Sequence, residues 1–267
     1  GHIIPGTFPK FWLYVSTFHI PLFFFISGFL FNQSKYKNNC KLFLLNRIRT
    51  LFLPYILFLI INIIGYYVLK GHFIDNVFFT GLALWFIPVL MCCECLWFIA
   101  IKLAHDNKCL LITFVFINAL ISFYSSQKFG LINYNILCSF LAVYFYGIGN
   151  LFRNIIIDKV LNYNWENLFF IFILGIIFSL SYLPIESQLP EYFINKIPSM
   201  VYYVSPLGAI GLFGAFSIAI DRLSHKFDIN IISNILCKCG KESYIILAFD
   251  QILCMIFIIF LPTKLAI

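Results

Sequence analysis

Long apolar runs broken by short polar segments organise this chain. They lie at about residues 11–31, 51–69, 77–101, 109–125, 131–152, 165–183, 199–220 and 242–262. An apolar run of about 17 to 25 residues is the length a helix needs to cross a bilayer's hydrocarbon core. Only helices satisfy their own backbone in lipid at such lengths, since membrane strands are far shorter. The joining segments carry the Lys, Asn, Pro and Asp expected of loops. The pattern predicts an all-α fold, a polytopic transmembrane helix bundle with about eight visible spans. Residues 1–267 read as one integral-membrane domain, without an internal repeat or a soluble domain.

Composition strengthens that reading. Hydrophobic side chains make up 62% of the chain and charged ones 11%, against about half and about a quarter in soluble domains. Aromatic residues are 20%, with 34 Phe, and a soluble fold of this size has no interior large enough to hide them. The nine cysteines form neither a disulfide framework nor a zinc site. Cys92, Cys93, Cys95, Cys138 and Cys254 fall inside apolar runs, where thiols behave as small hydrophobes. No metal is expected.

The net charge of +7 follows from how positive residues sort across a membrane, and no nucleic-acid partner is expected. One set of alternate joining segments holds Lys35, Lys37, Lys41, Arg47, Arg49, Lys102, Lys108, Arg153, Lys159, Arg222, Lys226, Lys238 and Lys241. The other set holds Lys10, Lys70, Lys128, Lys196 and Lys264, one per segment. Because Lys and Arg collect on the cytoplasmic side, the 32–50 segment is placed in the cytoplasm, with residue 1 and the C-terminus outside a cell membrane. The chain opens Gly-His without Met, and no signal peptide precedes the first run. A start outside the membrane, following a spanning helix, implies at least one further span before residue 1.

Ionisable residues inside spans face a cavity or a partner, and this chain has few. His19 lies about 13 Å along a helix from Lys10, Glu94 sits deep in the third run and Asp250 in the last. His2 precedes a turn rich in Pro5, Gly6 and Pro9 that leads back to the helix of His19. Pro21 cannot donate to the Thr17 carbonyl; with His19, Ser27 and Gly28 this makes a polar seam in an apolar helix. The seam has two readings, a chemical site or a helix-packing surface. Glu94 and Asp250 equally admit bonding to neighbouring helices. The segment "KYKNNCKLFLLNRIRTLFLPY" is either a positive-inside anchor that attracts anionic lipid or a phosphate dock, with Arg47 and Arg49 suited to bidentate contacts.

"GHIIPG", "FHIPLFFFISGFLF" and "RIRTLFLPY", in this order and spacing, resemble the membrane acyltransferase-3 family of multi-span bacterial proteins that O-acylate sugars and surface polysaccharides. The resemblance continues in "ALWFIPVL", "YFYGIGNLF" and "CGKESYIIL". It implies transfer of an acyl group, commonly acetyl, from cytosolic acyl-coenzyme A to a hydroxyl of a sugar or cell-surface polysaccharide acceptor. The family's key histidine falls on His2, its H-x-P histidine on His19, its Ser-Gly on Ser27 and Gly28, and its basic pair on Arg47 and Arg49. The family's arginine, which lies before its key histidine, would precede residue 1. Asp250 stands where relatives often carry a late histidine.

A sugar hydroxyl is a poor nucleophile at neutral pH, and a histidine has a pKa suited to a general base. His2 is expected to be that base, with His19 or Ser27 donating to the oxyanion. Ser27 lies outside any nucleophile-elbow context. Lys41, Arg47 and Arg49 are expected to hold the coenzyme's phosphates. Two other readings compete: a transporter or flippase of polysaccharide precursors, for which repeats and midplane charges would be expected, and an inactive membrane remnant. The acceptor's identity and the oligomeric state are not written in these residues.

Overall fold

A computed structural model describes residues 9–36, 39–70, 86–105, 107–125, 134–155, 165–180 and 201–226, with the isolated positions 234, 235 and 238. Among the described residues there is no strand. The chain runs through α1 (Pro9–Leu30), a short α2 (Gln33–Tyr36), α3 (Cys40–Arg47), a π-helical turn (Ile48–Phe52) and α4 (Leu53–Lys70). There follow α5 (Phe86–Ala104), α6 (Lys108–Ser125), α7 (Tyr134–Ile155), α8 (Trp165–Leu180) and α9 (Val201–Lys226). The architecture is the all-α bundle that the apolar pattern predicts. Each apolar run up to 199–220 overlaps one of these helices, and the 242–262 run lies outside the described residues.

Cys40–Gly65, Phe86–Ala104 and Tyr203–Ser224 are long and apolar enough to cross a membrane, and Phe18–Leu30, Lys108–Tyr124 and Trp165–Ser179 are shorter apolar stretches. The first of these differs from the sequence expectation. Residues 40–50 read there as part of a joining segment, yet α3 passes through the π turn into α4 without a break. Asn39 caps it, its Oδ1 accepting from the Leu42 N–H at 2.9 Å. That meets one of the unpaired N–H groups of a helix start. Lys and Arg interrupt the hydrophobicity of this stretch but not its helical spacing, so the cations lie on a helix and not in a loop.

α7 is the hub. It packs against α1, α5 and α6, while α9 packs against α8 and α1. Its middle, Ala142 to Tyr146, is buried on every side, and Trp97 of α5 and Tyr146 have no exposed surface at all. Phe18 of α1 stacks on Phe213 of α9 with ring centroids 4.7 Å apart. Between α5 and α6 the chain turns at His105, whose φ of 45° is left-handed, a conformation histidine adopts more readily than most residues. Asn107 then opens α6, accepting from the Cys109 N–H at 3.0 Å.

α1 and α7 meet backbone to backbone. A Cβ on Gly28 would lie 2.7 Å from the Tyr146 carbonyl carbon, and one on Gly149 3.0 Å from that of Phe25. Without a hydrophobic force between helices in lipid, such close approach of small residues is what packs them. Gly28→Ala should therefore destabilise the bundle by about 1–3 kcal/mol, the cost of overpacking. Gly214→Ala, whose Cβ would meet nothing within 4 Å, should be neutral or slightly stabilising, since Ala favours helix. Thermal unfolding in detergent, followed by tryptophan fluorescence, checks both. A Gly28→Ala protein melting with the wild type would refute the tight contact.

Candidate functional site

Arg47, the last residue of α3, is a heavily engaged charged group. Its Nε lies 2.8 Å from Glu94 Oε2 on α5, with the two side chains 19% and 5% exposed. Neither atom has an aligned hydrogen bond, so the two meet as a close charge contact. The guanidinium carbon sits 5.7, 5.6 and 5.5 Å from the ring centroids of Phe31, Tyr36 and Phe43. Desolvated cation–π contacts of this kind contribute about 2 kcal/mol. Phe43 is one helical turn before Arg47, and residues four apart share a face. Phe43 in turn stacks on Phe98 of α5 at 4.3 Å, and Tyr36 lies 5.6 Å from Phe31. The Asn46 side-chain amide donates to the Tyr36 hydroxyl at 3.2 Å.

A second polar group closes the end of α1. Asn150 of α7 donates from Nδ2 to the carbonyls of Gly28 and Phe31 at 3.0 and 3.1 Å, and its Oδ1 accepts from Trp97 Nε1 at 3.2 Å. Arg153, one turn on, donates from Nη1 to the Phe31 carbonyl at 3.2 Å. These side chains satisfy carbonyls that the end of a helix leaves without intrahelical partners. Beside them a cleft of about 300 Å³ is lined by Phe31, Asn32, Gln33, Ser34, Asn150, Arg153 and Asn154. Phe31 thus meets both arginines, Arg47 at its ring and Arg153 at its carbonyl.

The residues anticipated from sequence fall in different places. His2 and Asp250 lie outside the described residues. His19 is exposed on α1, beside the buried Phe18. Ser27 is half-buried, and its hydroxyl donates to the Phe23 carbonyl of its own helix at 2.8 Å. His19 and Ser27 are about 12 Å apart along the helix axis at 1.5 Å per residue, so they do not converge on one point. Lys41 and Arg49 are exposed. Arg47 and Arg49, two residues apart, point away from each other: Arg47 turns into the bundle and Arg49 outward.

Glu94, Tyr36, Asn150 and Arg153 were not singled out as a site from sequence. One signal was present for the first, because a carboxylate in an apolar run needs a cationic partner. Nothing in the spacing says which of the many nearby cations supplies it. Asn150 lies within the quoted "YFYGIGNLF", but nothing there names its partners, a tryptophan N–H and the carbonyls of a distant segment.

An all-α bundle with membrane-crossing helices and a buried polar cluster at its basic end defines an integral membrane protein. The family model described as an acyltransferase domain, that of acyltransferase-3, matches residues 1–264, and the chain belongs to this family. Comparison with curated proteins and with solved structures gives no match.

Asn150→Leu keeps the shape but removes the acceptor of Trp97 and a donor from two carbonyls. The loss should be about 1–3 kcal/mol per buried group left unpaired. It would appear as a lower melting temperature in detergent, and an unchanged one would mean that water replaces the amide.

Proposed function

We propose that this membrane acyltransferase moves an acyl group, acetyl as the first case, from acyl-coenzyme A to a hydroxyl of a sugar or cell-surface polysaccharide. The observation that carries the reading is the family match over residues 1–264. It includes His2 and His19 together with the helix that bears Lys41, Arg47 and Arg49. A cationic helix continuous with a membrane-crossing one suits a soluble anionic donor whose acyl end must enter the bilayer. In this reading the basic end faces the cytoplasm of a bacterial inner membrane, and residue 1 lies on the opposite side.

The reaction needs three contributions. His2 takes the proton of the acceptor hydroxyl as its oxygen attacks the thioester carbonyl carbon, and the new C–O bond forms. His19 donates to the oxyanion of the tetrahedral intermediate. Ser27, two turns further along α1 with its hydroxyl donating to the Phe23 carbonyl, is the alternative donor. The C–S bond then breaks and coenzyme A leaves as the thiol, taking up a proton. Lys41, Arg47 and Arg49 hold the phosphates, for which a guanidinium offers paired donors and an ammonium a point charge.

Two measurements test this on the intact protein with radiolabelled acetyl-coenzyme A and envelope glycans. His2→Ala should lower label transfer by about 10²- to 10⁴-fold, the usual contribution of a general base, while membrane insertion persists. Transfer at the wild-type rate would remove His2 from the mechanism. The exposed pair changed together, Lys41→Gln with Arg49→Gln, should raise the donor KM by about tenfold, the scale of one charge-assisted contact, and leave the acceptor KM and the melting temperature where they were. An unaltered donor KM would return these cations to membrane anchoring.

A further inference from the structure

The contact between Arg47 and Glu94 asks for more than an anchoring role. Ionisable side chains inside a membrane bundle are functional by default, and an apolar pair of similar volume holds helices together as well or better than a buried ion pair. Here the pair is also directional. Glu94 meets Arg47 at Nε, which is itself buried, whereas the Arg47 side chain as a whole keeps 19% exposure. The rings of Phe31, Tyr36 and Phe43 surround the guanidinium carbon and restrict its plane. An arginine held at Nε still carries the four N–H groups of its two Nη atoms, and that planar fork matches a phosphate.

The neighbourhood of Arg47 is rich in cations. Lys35 Nζ lies 5.4 Å from the centre of the Tyr36 ring, and Arg153 donates to the Phe31 backbone carbonyl at 3.2 Å. Two further cations therefore contact the residues Tyr36 and Phe31, whose rings lie against Arg47. Among the described residues, Glu94 is the one carboxylate paired with Arg47. The π turn begins at the next residue, Ile48, and such turns recur at functional sites.

We propose that Glu94 is a positioning residue: it grips Arg47 by Nε beneath the aromatic rings, so that the Nη edge is presented at the basic end to a phosphate of the acyl donor. This rests on the acyltransferase reading above and gives Glu94 a role in donor affinity, without contact to the reacting atoms.

The experiment uses the intact protein in detergent, with coenzyme A as the binding probe and acetyl transfer as the second readout. Glu94→Gln should weaken coenzyme A binding and raise the donor KM about tenfold, as loss of one charge-assisted contact does. The acceptor KM and kcat should stay within about twofold, since Glu94 acts only on donor binding. Arg47→Gln should do the same, and the double variant should be no worse than Arg47→Gln alone, because the carboxylate acts through the arginine. The double variant also removes both buried charges, so it folds where a single variant leaves one uncompensated. A folded double variant that binds coenzyme A like the wild type overturns the proposal, as do single-variant losses that multiply in the double. A wild type that binds and transfers while Glu94→Gln matches it overturns the positioning role alone. A wild type that neither binds coenzyme A nor transfers acetyl overturns the acyltransferase reading, and this inference with it.

Discussion

A charge inside an apolar bundle must be matched, and that requirement organises the basic end of this protein. Glu94 stands in the wall formed by α5, 5% exposed, and Arg47 meets it at 2.8 Å. A carboxylate there without a partner would carry a desolvation cost of several kcal/mol. To reach it, α3 must lie against α5, and the helix must be continuous with α4 through the π turn. The aromatic side chains then follow from the same demand. They cover the guanidinium with ring faces, which are the least polar surfaces that still attract a cation. One ion pair thereby fixes the approach of α3, the placing of Tyr36 and Phe43, and the outward direction of Arg49.

The rest of the bundle is arranged about α7, where shape and hydrogen bonding act together. Gly28 and Gly149 let the backbones of α1 and α7 touch, and that closeness brings Asn150 within reach of the Gly28 and Phe31 carbonyls. The same amide accepts from Trp97, so one side chain ties α1, α5 and α7. Without the amide, those carbonyls and the Trp97 N–H would depend on water from the adjoining cleft. The seam of Ser27 and Gly28 divides accordingly. Gly28 serves packing, and Ser27 bonds to its own helix.

Much of the fold was legible in the chain because lipid imposes a one-dimensional rule. Apolar runs must be helices, so α4 to α9 sit close to the runs that announce them. The rule weakens where charges interrupt hydrophobicity. Residues 40–50 read as a joining segment because their Lys and Arg hide a helical spacing of Phe and Leu, and Asn39 marks a helix start that only the cap geometry reveals. The candidate site was legible in part. The resemblance of "RIRTLFLPY" pointed to the basic end, but treated Arg47 and Arg49 as equals. Two residues apart on a helix, they face opposite ways.

The amino-acid sequence by itself determined that this is an all-α membrane protein and which family it belongs to, since both are properties of pattern and local motif. It also set the inventory of ionisable groups that lipid makes expensive: His19, Glu94, Asp250 and the cations. Tertiary structure alone decided their partners. Glu94 is distant in sequence from Arg47, as Asn150 is from Gly28, and nothing local distinguishes one cation or one carbonyl from another. The choice is made by helix packing, through glycines that bring α1 and α7 together and through a helix that carries Arg47 inward, because a charge or amide in an apolar interior bonds to whichever complementary group the packing places within about 3 Å.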